Sequence, residues 1–469
     1  MPDTVTRPEE PSIPVVHGVD VLVVGGGPGG IGAAVAAARL GAKTLLCEQY
    51  GFLGGMASAG LVGPFMWSGL DGDSFDSGVF LEWCHTMEKM GGMSKDGHTF
   101  CHEVAKLAAE KLCLDAGVEL LYHVQLDRPL MHERAIACVL MLGKSGLTAH
   151  RAGVFVDATG DADLAARAGC VVEYGREEDG QVQPMTLSFD MAGVDVSRMP
   201  DRRTISNLYR KAKQDGRMKC PREDVLWFRT LEPDRIHFNT TRIIAQSPIE
   251  TLSLSAAEIE GRRQVLDHVR FLRGDVPGFE KARLHAIGVT TGVRESRRVR
   301  GRAYLTRQDF LSASKFPDGI CRVNYEIDIH SPAGEGTEQM RLPPGEWYEI
   351  PYGCLVPEGC DNLLVAGRPI SVDHAVHSSM RIMPSACTVG QAAGTAAAMA
   401  VQEGVAPAEV DGRAVRRSLI GQGVWLEGQP PGQTRKSPQG LDVPASRLAA
   451  PRSEPGEQVG KGPIHGRDL

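Results

Sequence analysis

The strongest constraint on the fold lies near the start of the chain, where a glycine-rich turn joins an apolar segment to an alanine-rich one. Residues 19–24 read VDVLVV, a β-branched run that is typical of a buried parallel strand. Residues 31–40 follow with an alanine-rich helical pattern, which Gly41 ends as a C-cap glycine would. Residues 42–48 then predict a second strand. This order predicts a βαβ unit and hence a parallel sheet.

The turn between the first strand and the helix reads GGGPGG and matches the spacing G-x-G-x-x-G at Gly25, Gly27 and Gly30. In such a turn the first glycine permits the tight reversal, the second lets a pyrophosphate approach the backbone, and the third lets the helix pack against the strand. Pro28 and Gly29 begin the helix, whose free N–H groups and dipole favour a negative charge. We therefore predict that these residues bind the phosphates of a dinucleotide.

An acidic residue at the end of the second strand completes this pattern. Glu48 lies eighteen residues after Gly30, where a carboxylate accepts hydrogen bonds from the ribose hydroxyls of an adenosine. A glycine fingerprint alone is a weak signal, and the alternative is a simple turn. The preceding strand, the following helix and this acid together favour dinucleotide binding.

A later segment separates FAD from NAD by resemblance. Residues 156–163 read VDATGDAD and resemble the second signature of flavoproteins with a glutathione-reductase-like FAD domain, in which small residues let a strand pass close to the dinucleotide. Asp161 or Asp163 is expected to cap the helix that follows. The residues that this resemblance places beside the cofactor are Ala158, Thr159 and Gly160.

Further segments resemble the FAD-dependent oxidoreductase family over approximately residues 19–426. Residues 52–60 read FLGGMASAG, residues 362–368 read NLLVAGR, and residues 390–398 read GQAAGTAAA. The resemblance implies an α/β fold with a Rossmann-like, glutathione-reductase-type FAD-binding domain and an inserted α+β substrate domain. The further cofactor contacts that it implies are Gly55, Met56, Val124, Gly367, Arg368 and Arg381.

The pattern along the chain predicts four parts. Residues 1–17 are polar and are expected to be a flexible tail. The FAD-binding domain is expected to be discontinuous, over residues 18–170 and 350–426, because the βα rhythm is lost in residues 171–349 and then returns. Residues 427–469 contain few aliphatic side chains and are predicted to be disordered.

Composition restricts the partners and the compartment. A formal net charge of −7 and a pI near 6.1 argue against a nucleic-acid binder. Glycines and charges interrupt every apolar stretch before it reaches the roughly 20 residues of a membrane span, and the N-terminus lacks the pattern of a signal peptide. The eleven cysteines form no C-x-x-C pair, so we predict no metal site, reduced and mostly buried thiols, and a cytoplasmic protein.

The expected chemistry is hydride transfer between a small organic substrate and N5 of the flavin, with an external electron acceptor or donor. Such a step commonly needs a residue that moves the accompanying proton. The candidate catalytic residues are His374, His377, Arg294, Arg381, Glu295 and Tyr352. Either histidine suits proton transfer near neutral pH, with hydrogen bonding to the backbone as the alternative. The two arginines suit a substrate carboxylate, and Arg381 also suits the flavin.

Covalent attachment of the flavin is not expected, because residues 56–59 read MASA and offer neither histidine nor cysteine. A flavin halogenase would carry a W-x-W-x-I-P element, and Glu346 and Tyr348 occupy its two tryptophan positions. A disulfide reductase would carry a C-x-x-x-x-C pair, which Cys47 does not form. A homo-oligomer stays open, and so does the alternative of a non-catalytic or partner-dependent flavoprotein subunit in an electron-transfer complex.

Overall fold

The computed structural model describes residues 12–428, 430 and 434–435. Its strands are β1 (Val15–Val24), β2 (Thr44–Cys47), β3 (Gly69–Leu70), β4 (Asp73–Ser74), β5 (Glu119–Leu121), β6 (Gln125–His132), β7 (Ala135–Gly143), β8 (Gly146–Asp157), β9 (Val172–Tyr174), β10 (Phe189–Ala192), β11 (Trp227–Arg229), β12 (Arg235–Phe238), β13 (Arg283–Ile287), β14 (Arg297–Val299), β15 (Gly319–Val323), β16 (Ile327–His330), β17 (Thr337–Met340), β18 (Tyr348–Pro351) and β19 (Leu363–Val365). Its α-helices are α1 (Pro28–Arg39), α2 (Gly78–Lys89), α3 (His102–Asp115), α4 (Asp163–Arg167), α5 (Arg202–Gln214), α6 (Thr251–Asp275), α7 (Arg307–Leu311), α8 (His374–Met380), α9 (Met383–Glu403) and α10 (Gly412–Gly421).

A seven-stranded sheet forms the centre of the fold. Its order is β5–β2–β1–β8–β7–β6, and β19 pairs with the last three residues of β8. The strands β5, β2, β1, β8 and β19 run parallel to their neighbours, whereas β6, β7 and β8 form an antiparallel meander. The parallel part is the Rossmann-like core that the sequence predicts, so the α/β fold class is confirmed.

The first strand is longer than predicted. Val15–Val24 pairs with β8 along its whole length, and the ring of His17 stacks on that of His150 with centroids 5.1 Å apart. The prediction of a flexible tail to residue 17 is therefore wrong for its last three residues, because they pair with a neighbouring strand. Residues 1–11 lie outside the described part of the chain.

The helices α1 and α9 pack against each other at backbone contact. A Cβ at Gly390 would lie 1.9 Å from the carbonyl oxygen of Gly29, and one at Gly394 would lie 1.9 Å from that of Ala33. On the other helix, a Cβ at Gly32 would lie 2.2 Å from the carbonyl oxygen of Cys387. Only glycine fits at such positions, so these glycines set how closely the two helices approach.

The part of the chain that connects β9 to β14 forms a second hydrophobic core. It joins one face of the antiparallel sheet β11–β12–β10–β13 to α5 and α6. Phe189 and Phe238 stack within it, with ring centroids 4.9 Å apart. Val299 and Ile320, which also precede residue 350, belong instead to the core of the central sheet. The division into domains at residues 171 and 349 stays a proposal. The second core supports a separate unit for the earlier part of that range, residues 185–282.

Two residues of the predicted C-terminal tail are buried. The guanidinium of Arg435 forms an ion pair with Asp76 and donates to the carbonyl of Gly97 at 3.1 Å, and its side chain is 3% exposed. The hydroxyl of Thr434 donates to Asp73. The prediction of disorder over residues 427–469 is wrong for these two residues, because a buried carboxylate attracts the arginine; most of that range lies outside the described residues.

Two expectations from composition can be compared with the structure. The eleven cysteines are unpaired, and all except Cys101 are buried, as predicted. Within the described ranges, the helices are too short or too polar to cross a lipid bilayer.

Substitution of Gly390 by alanine tests the contact between α1 and α9. The added Cβ would meet the carbonyl oxygen of Gly29, so we expect the free energy of unfolding to fall by about 1–3 kcal/mol or more. The matched control is Gly421→Ala in α10, where nothing lies within 4 Å of the added atom; there a gain of about 0.4–1 kcal/mol is expected. Urea unfolding measures both, and equal effects would contradict the packing described.

Candidate functional site

Two glycines of the fingerprint are required by the protein's own backbone. Gly25 has a φ of +104°, and a Cβ there would lie 2.4 Å from the carbonyl oxygen of Ala158. A Cβ at Gly30 would lie 1.8 Å from the carbonyl oxygen of Gly25. These contacts hold the end of β1, the start of α1 and the end of β8 together, as the spacing predicts.

Gly27 differs, because no part of the described chain requires a glycine there. Its φ of −73° and ψ of −176° are open to any residue. The nearest protein atom to an added Cβ would be the Cα of Gly55, at an ordinary contact distance of 3.8 Å. Gly27 therefore keeps a side-chain-free surface at the N-terminus of α1, which is the surface that a pyrophosphate needs.

Glu48 and Val124 lie together at the end of β2. One carboxylate oxygen of Glu48 accepts from the N–H of Gly26 at 2.7 Å, and the other accepts from the N–H of Tyr50 at 2.9 Å. Burial raises the pKa of Glu48, and these hydrogen bonds oppose the rise. The N–H of Val124 donates to the carbonyl of Glu48 at 3.2 Å. The structure thus brings these two predicted cofactor contacts to one place and fixes the orientation of the carboxylate.

Gly55 and Met56 form the side opposite the glycine turn. Gly55 has a φ of +50°, and a Cβ there would lie 2.7 Å from the Cα of Gly27. Met56 follows in a 3₁₀ turn, and its sulfur lies 3.9 Å from where a Cβ of Gly292 would be. This loop therefore connects the predicted cofactor site to the segment that leads into Arg294.

Asp157 organises the second signature at the end of β8. Its carboxylate accepts from the N–H and the hydroxyl of Thr159, at 3.0 and 2.7 Å, and from the N–H of Ala165 at 2.8 Å. Burial raises the pKa of Asp157 to about 6, against the effect of these bonds. Ala158 and Thr159 are consequently held in a fixed path beside Gly25.

The prediction that Asp161 or Asp163 caps α4 is wrong. The N-cap is Ala162, and its side chain makes no capping bond. The hydroxyl of Thr159 accepts from the N–H of Asp163 at 3.0 Å, and Asp157 accepts from the N–H of Ala165 in the same first turn. Asp161 is used elsewhere, because its carboxylate pairs with Arg368 at 2.7 Å.

Gly160, Gly367 and Arg368 meet near the same helix N-terminus. Gly160 has a φ of +83°, and a Cβ there would lie 3.1 Å from Nη2 of Arg368. The N–H of Gly367 lies 3.0 Å from where a Cβ of Gly29 would be. Nη1 of Arg368 is buried and has no hydrogen-bond partner among the described residues. A bound ligand or a water molecule can supply the acceptor for such a donor.

His374 belongs to a buried chain of charged groups. Its Nδ1 lies 2.7 Å from a carboxylate oxygen of Glu295, and the same oxygen accepts from Arg298 at 2.6 Å. The second oxygen of Glu295 accepts from the N–H of Gln183 at 3.1 Å. Glu295 is fully buried and therefore fixes the orientation of the His374 ring.

His377 lies one turn further along α8 and is fully buried. Neither of its ring nitrogens has a hydrogen-bond partner in the described part of the chain. Burial lowers the pKa of His377 well below its ordinary value, and nearby arginines lower it further. This ring is therefore neutral and offers one donor and one acceptor.

Arg294 and Arg381 are brought together by residues 183–186. Arg294 donates to the carbonyl of Pro184 at 2.6 Å and also to Thr186. Arg381 donates to the side-chain oxygen of Gln183 at 3.4 Å. Because Gln183 also bonds Glu295, Arg381 and His374 belong to one hydrogen-bonded network. Arg294 bonds the neighbouring residues Pro184 and Thr186 of the same segment.

Tyr352 is not brought into this network. Its hydroxyl donates to the carbonyl of Pro407 at 2.6 Å, within the 3₁₀ turns Tyr352–Leu355 and Pro407–Glu409. The hydroxyl of Tyr352 therefore has a hydrogen-bond acceptor outside the network of His374.

Several polar residues near the predicted site were missed from the sequence. Gln183 bonds both Arg381 and the backbone of His330, and the His330 ring lies 3.3 Å from Arg242. These residues come from separate segments with no common spacing, so no sequence motif would have found them.

A second missed group lies on the face of the antiparallel sheet opposite its core. Nδ1 of His237 lies 2.7 Å from Asp190, and Arg235 pairs with the same carboxylate at 2.5 Å. The rings of His237 and His102 have centroids 5.6 Å apart, and His102 contacts the carbonyl of Ala57 at 2.7 Å. The alternation of Phe189, Asp190 and Met191 along one strand was the available signal.

The chain matches the family described as FAD dependent oxidoreductase over residues 20–419. This match covers most of the sequence. The chain belongs to the FAD dependent oxidoreductase family. It is therefore an enzyme, FAD is its cofactor, and the resemblance stated from the motifs is confirmed.

Individual relatives are more distant. A stretch of 42 residues is 57% identical to a dihydrolipoyl dehydrogenase of Trypanosoma brucei brucei, and it spans 9% of each chain. A geranylgeranyl bacteriochlorophyll reductase-like protein from Thermoplasma acidophilum is 14% identical with a TM-score of 0.41, over 86% of this chain and 83% of that one. The p-nitrophenol 4-monooxygenase of Pseudomonas putida is 11% identical with a TM-score of 0.41, over 87% and 86%.

Substitution of Gly27 by valine tests the pyrophosphate surface. An added Cβ has only Gly55 within 4 Å, so we expect a folded chain that has lost most of its FAD, because the valine occupies the space of the phosphates. The control is Gly18→Val in β1, where nothing lies within 4 Å of an added Cβ. Flavin absorbance per folded chain is the measurement, and full FAD content in Gly27→Val would contradict the assignment.

Acid titration tests the group around Asp190. Burial alone raises the pKa of Asp190, but His237 and Arg235 outweigh it and lower the pKa to about 2 from its ordinary 3.8. The ionised group therefore stabilises the fold above about pH 4, and this contribution, on the order of 2 kcal/mol, is lost as the pH falls towards 2.

Substitution of Asp190 by asparagine should remove that dependence. We expect urea midpoints of the wild type to fall more steeply between pH 4 and pH 2 than those of Asp190→Asn. Asp71→Asn, at an exposed position with a φ of +51° that asparagine tolerates, is the control. Parallel profiles for wild type and Asp190→Asn would exclude a stabilising role for this carboxylate.

Proposed function

We propose that this enzyme transfers a hydride between a small organic substrate and N5 of non-covalently bound FAD, with an external electron acceptor or donor. The observation that carries the proposal is the buried network in which Glu295 connects His374, Arg298 and, through Gln183, Arg381. An ion pair between Arg298 and Glu295 that only stabilised the fold would not need His374 bonded to the same carboxylate. The flavin supplies the hydride acceptor or donor when it is bound.

The cofactor is proposed to lie along the glycine turn. Gly25, Gly27, Pro28, Gly29 and Gly30 would surround the pyrophosphate at the N-terminus of α1. Glu48 and Val124 would bind the adenosine. The residues proposed to line the remainder of the cofactor are Gly55, Met56, Ala158, Thr159, Gly160, Gly367, Arg368 and Arg381. Support comes from Gly27, whose missing side chain the protein does not itself require.

His374 is proposed to move the proton that accompanies the hydride. Glu295 contacts its Nδ1 at 2.7 Å, so Nδ1 carries the ring proton and Nε2 is the free acceptor. Arg298 donates to the same carboxylate oxygen at 2.6 Å and supplies a compensating positive charge in the interior. Glu295 and Arg298 are thus positioning residues, because they act through the histidine.

His377 is proposed to hydrogen-bond the cofactor or the substrate without titrating. Its pKa is lowered by burial and its two nitrogens lack partners in the described chain. A neutral ring of this kind orients a bound carbonyl or N–H group at any physiological pH.

A cytoplasmic location is proposed on the basis of the cysteines. Ten of the eleven thiols are buried and all are unpaired, which fits a reducing compartment.

Substitution of His374 by glutamine tests the proton-transfer role. With a substrate identified by its ability to bleach the bound flavin, we expect a rate of flavin reduction about 10²–10⁴-fold lower and a flattened pH profile, because the ring that carries the proton is gone. His132→Gln, at an exposed position of β6, is the control.

The variant must retain FAD for the comparison to hold. Wild-type rates and an unchanged pH profile in His374→Gln would assign the proton transfer to another group. A protein that binds FAD but is reduced by no organic substrate would favour the alternative of a partner-dependent electron-transfer subunit.

A further inference from the structure

The arginines around residues 183–186 divide into two kinds. Most buried arginines in this region have a carboxylate partner. The pairs are Arg298 with Glu295 at 2.6 Å, Arg242 with Glu223 at 3.0 Å, Arg222 with Asp224 at 2.8 Å and Arg235 with Asp190 at 2.5 Å. Within the residues that the structure describes, Arg294 and Arg381 have no carboxylate within 4.0 Å. Their hydrogen bonds go to carbonyl, hydroxyl and amide oxygens instead.

Unsatisfied donors accompany these two guanidinium groups. Nε of Arg381 is buried and has no hydrogen-bond partner among the described residues, and the same holds for Nε2 of Gln183. Gln183 is fully buried, and its oxygen already accepts from Arg381 and from the N–H of His330 at 3.3 Å. Its amino group consequently points away from those partners. Two adjacent donors without acceptors are costly in an interior unless a ligand supplies the oxygen atoms.

Both arginines also keep some accessible surface although they lie deep within the protein. The accessible surface that they keep is the space in which a ligand can reach them. Burial lowers the pKa of Arg294, and neighbouring arginines lower it further, with Arg381 first among them. The like charges therefore repel each other across this space, and a bound anion would relieve the repulsion.

The charge of the cluster selects a single negative charge. Among the strongest neighbouring charges, Asp328 is the acidic residue common to both guanidinium groups; its backbone carbonyl accepts from Arg381 at 3.3 Å. The other charged neighbours, Arg222, Arg242, Arg368 and Glu295, each pair with an opposite charge, so Arg294, Arg381 and Asp328 together leave an excess of one positive charge. A carboxylate, with one charge and two oxygen atoms, fits this excess and the fork of an arginine better than a phosphate dianion, which Asp328 would repel.

Deepening the proposed function, on which it rests, we infer that the substrate is a carboxylic acid whose carboxylate binds between Arg294, Arg381 and the amino group of Gln183. The network through Glu295 then places this anchor next to His374. Arg294 is the specificity-determining residue, since it belongs to the segment that passes Met56, whereas Arg381 is also a proposed contact of the cofactor.

The test uses the FAD-loaded enzyme and two matched pairs of probes, benzoate with benzamide and acetate with acetamide. Binding is followed by the change in the visible absorbance of the flavin. We expect at least one carboxylate to perturb the spectrum and to bind about tenfold or more tightly than its neutral amide, because the amide lacks the charge. Inorganic phosphate is titrated in parallel and should bind more weakly than that carboxylate.

Arg294→Gln should weaken carboxylate binding about 10- to 100-fold while FAD content stays at the wild-type level. Arg416→Lys is the control, because Arg416 is also a partly buried arginine but pairs with Glu349 at 3.2 Å in a different part of the fold. If Arg294→Gln does not fold, the comparison of carboxylate with amide on the wild-type enzyme still decides the matter.

The outcomes separate this inference from the proposed function. Enzyme that binds FAD but responds to no carboxylate, responds equally to the amides, or prefers phosphate would overturn the carboxylate assignment alone. Unchanged carboxylate affinity in folded Arg294→Gln would also overturn it. A substrate that reduces the flavin without carrying a carboxylate would refute the inference and leave the proposed hydride transfer in place.

Discussion

The contact between α1 and α9 is the constraint on which the rest of the structure depends. Two helices that are separated by more than 320 residues touch backbone to backbone, through Gly32, Gly390 and Gly394. This contact fixes the N-terminus of α1 relative to α9, and β19, which precedes α9, pairs beside β8. The glycine turn, the signature after β8 and the loop at Gly367 are therefore assembled by one packing interface, although they are far apart in the chain.

Some buried polar groups of the candidate site have hydrogen-bond partners within the chain, and others do not. The charged groups of Glu295, Arg298 and Asp190 are buried with short, complete partnerships. Among the described residues, the buried donors and acceptors that lack partners include those of Arg368, His377, Arg381 and Gln183, and others lie elsewhere in the fold, such as Tyr209 and His268 in the second core. A folded chain tolerates such groups where a ligand completes them. The same region contains the only histidine of α8 with an orienting carboxylate, so recognition and chemistry share one network.

The sequence predicted the parts of the fold whose signals are local. The turn at Gly25 and Gly30, the helix α1 and the parallel core all follow from spacing within short segments. The partner of Asp161 could not be predicted from the sequence. Its carboxylate can either cap α4 or pair with Arg368, and the pairing depends on a loop that is distant in the chain. Gln183 and His330 were missed for the same reason: their roles arise from tertiary contacts alone.

The buried Arg435 bears on where a shortened version of this protein should end. Asp76 is 2% exposed, and its ion-pair partner is Arg435, the last residue that the structure describes. Cutting the chain just after α10 would leave that carboxylate without its cation, a loss of about 3–5 kcal/mol for a buried pair. A recombinant boundary or an affinity tag therefore belongs beyond residue 435, even though the last helix ends at Gly421.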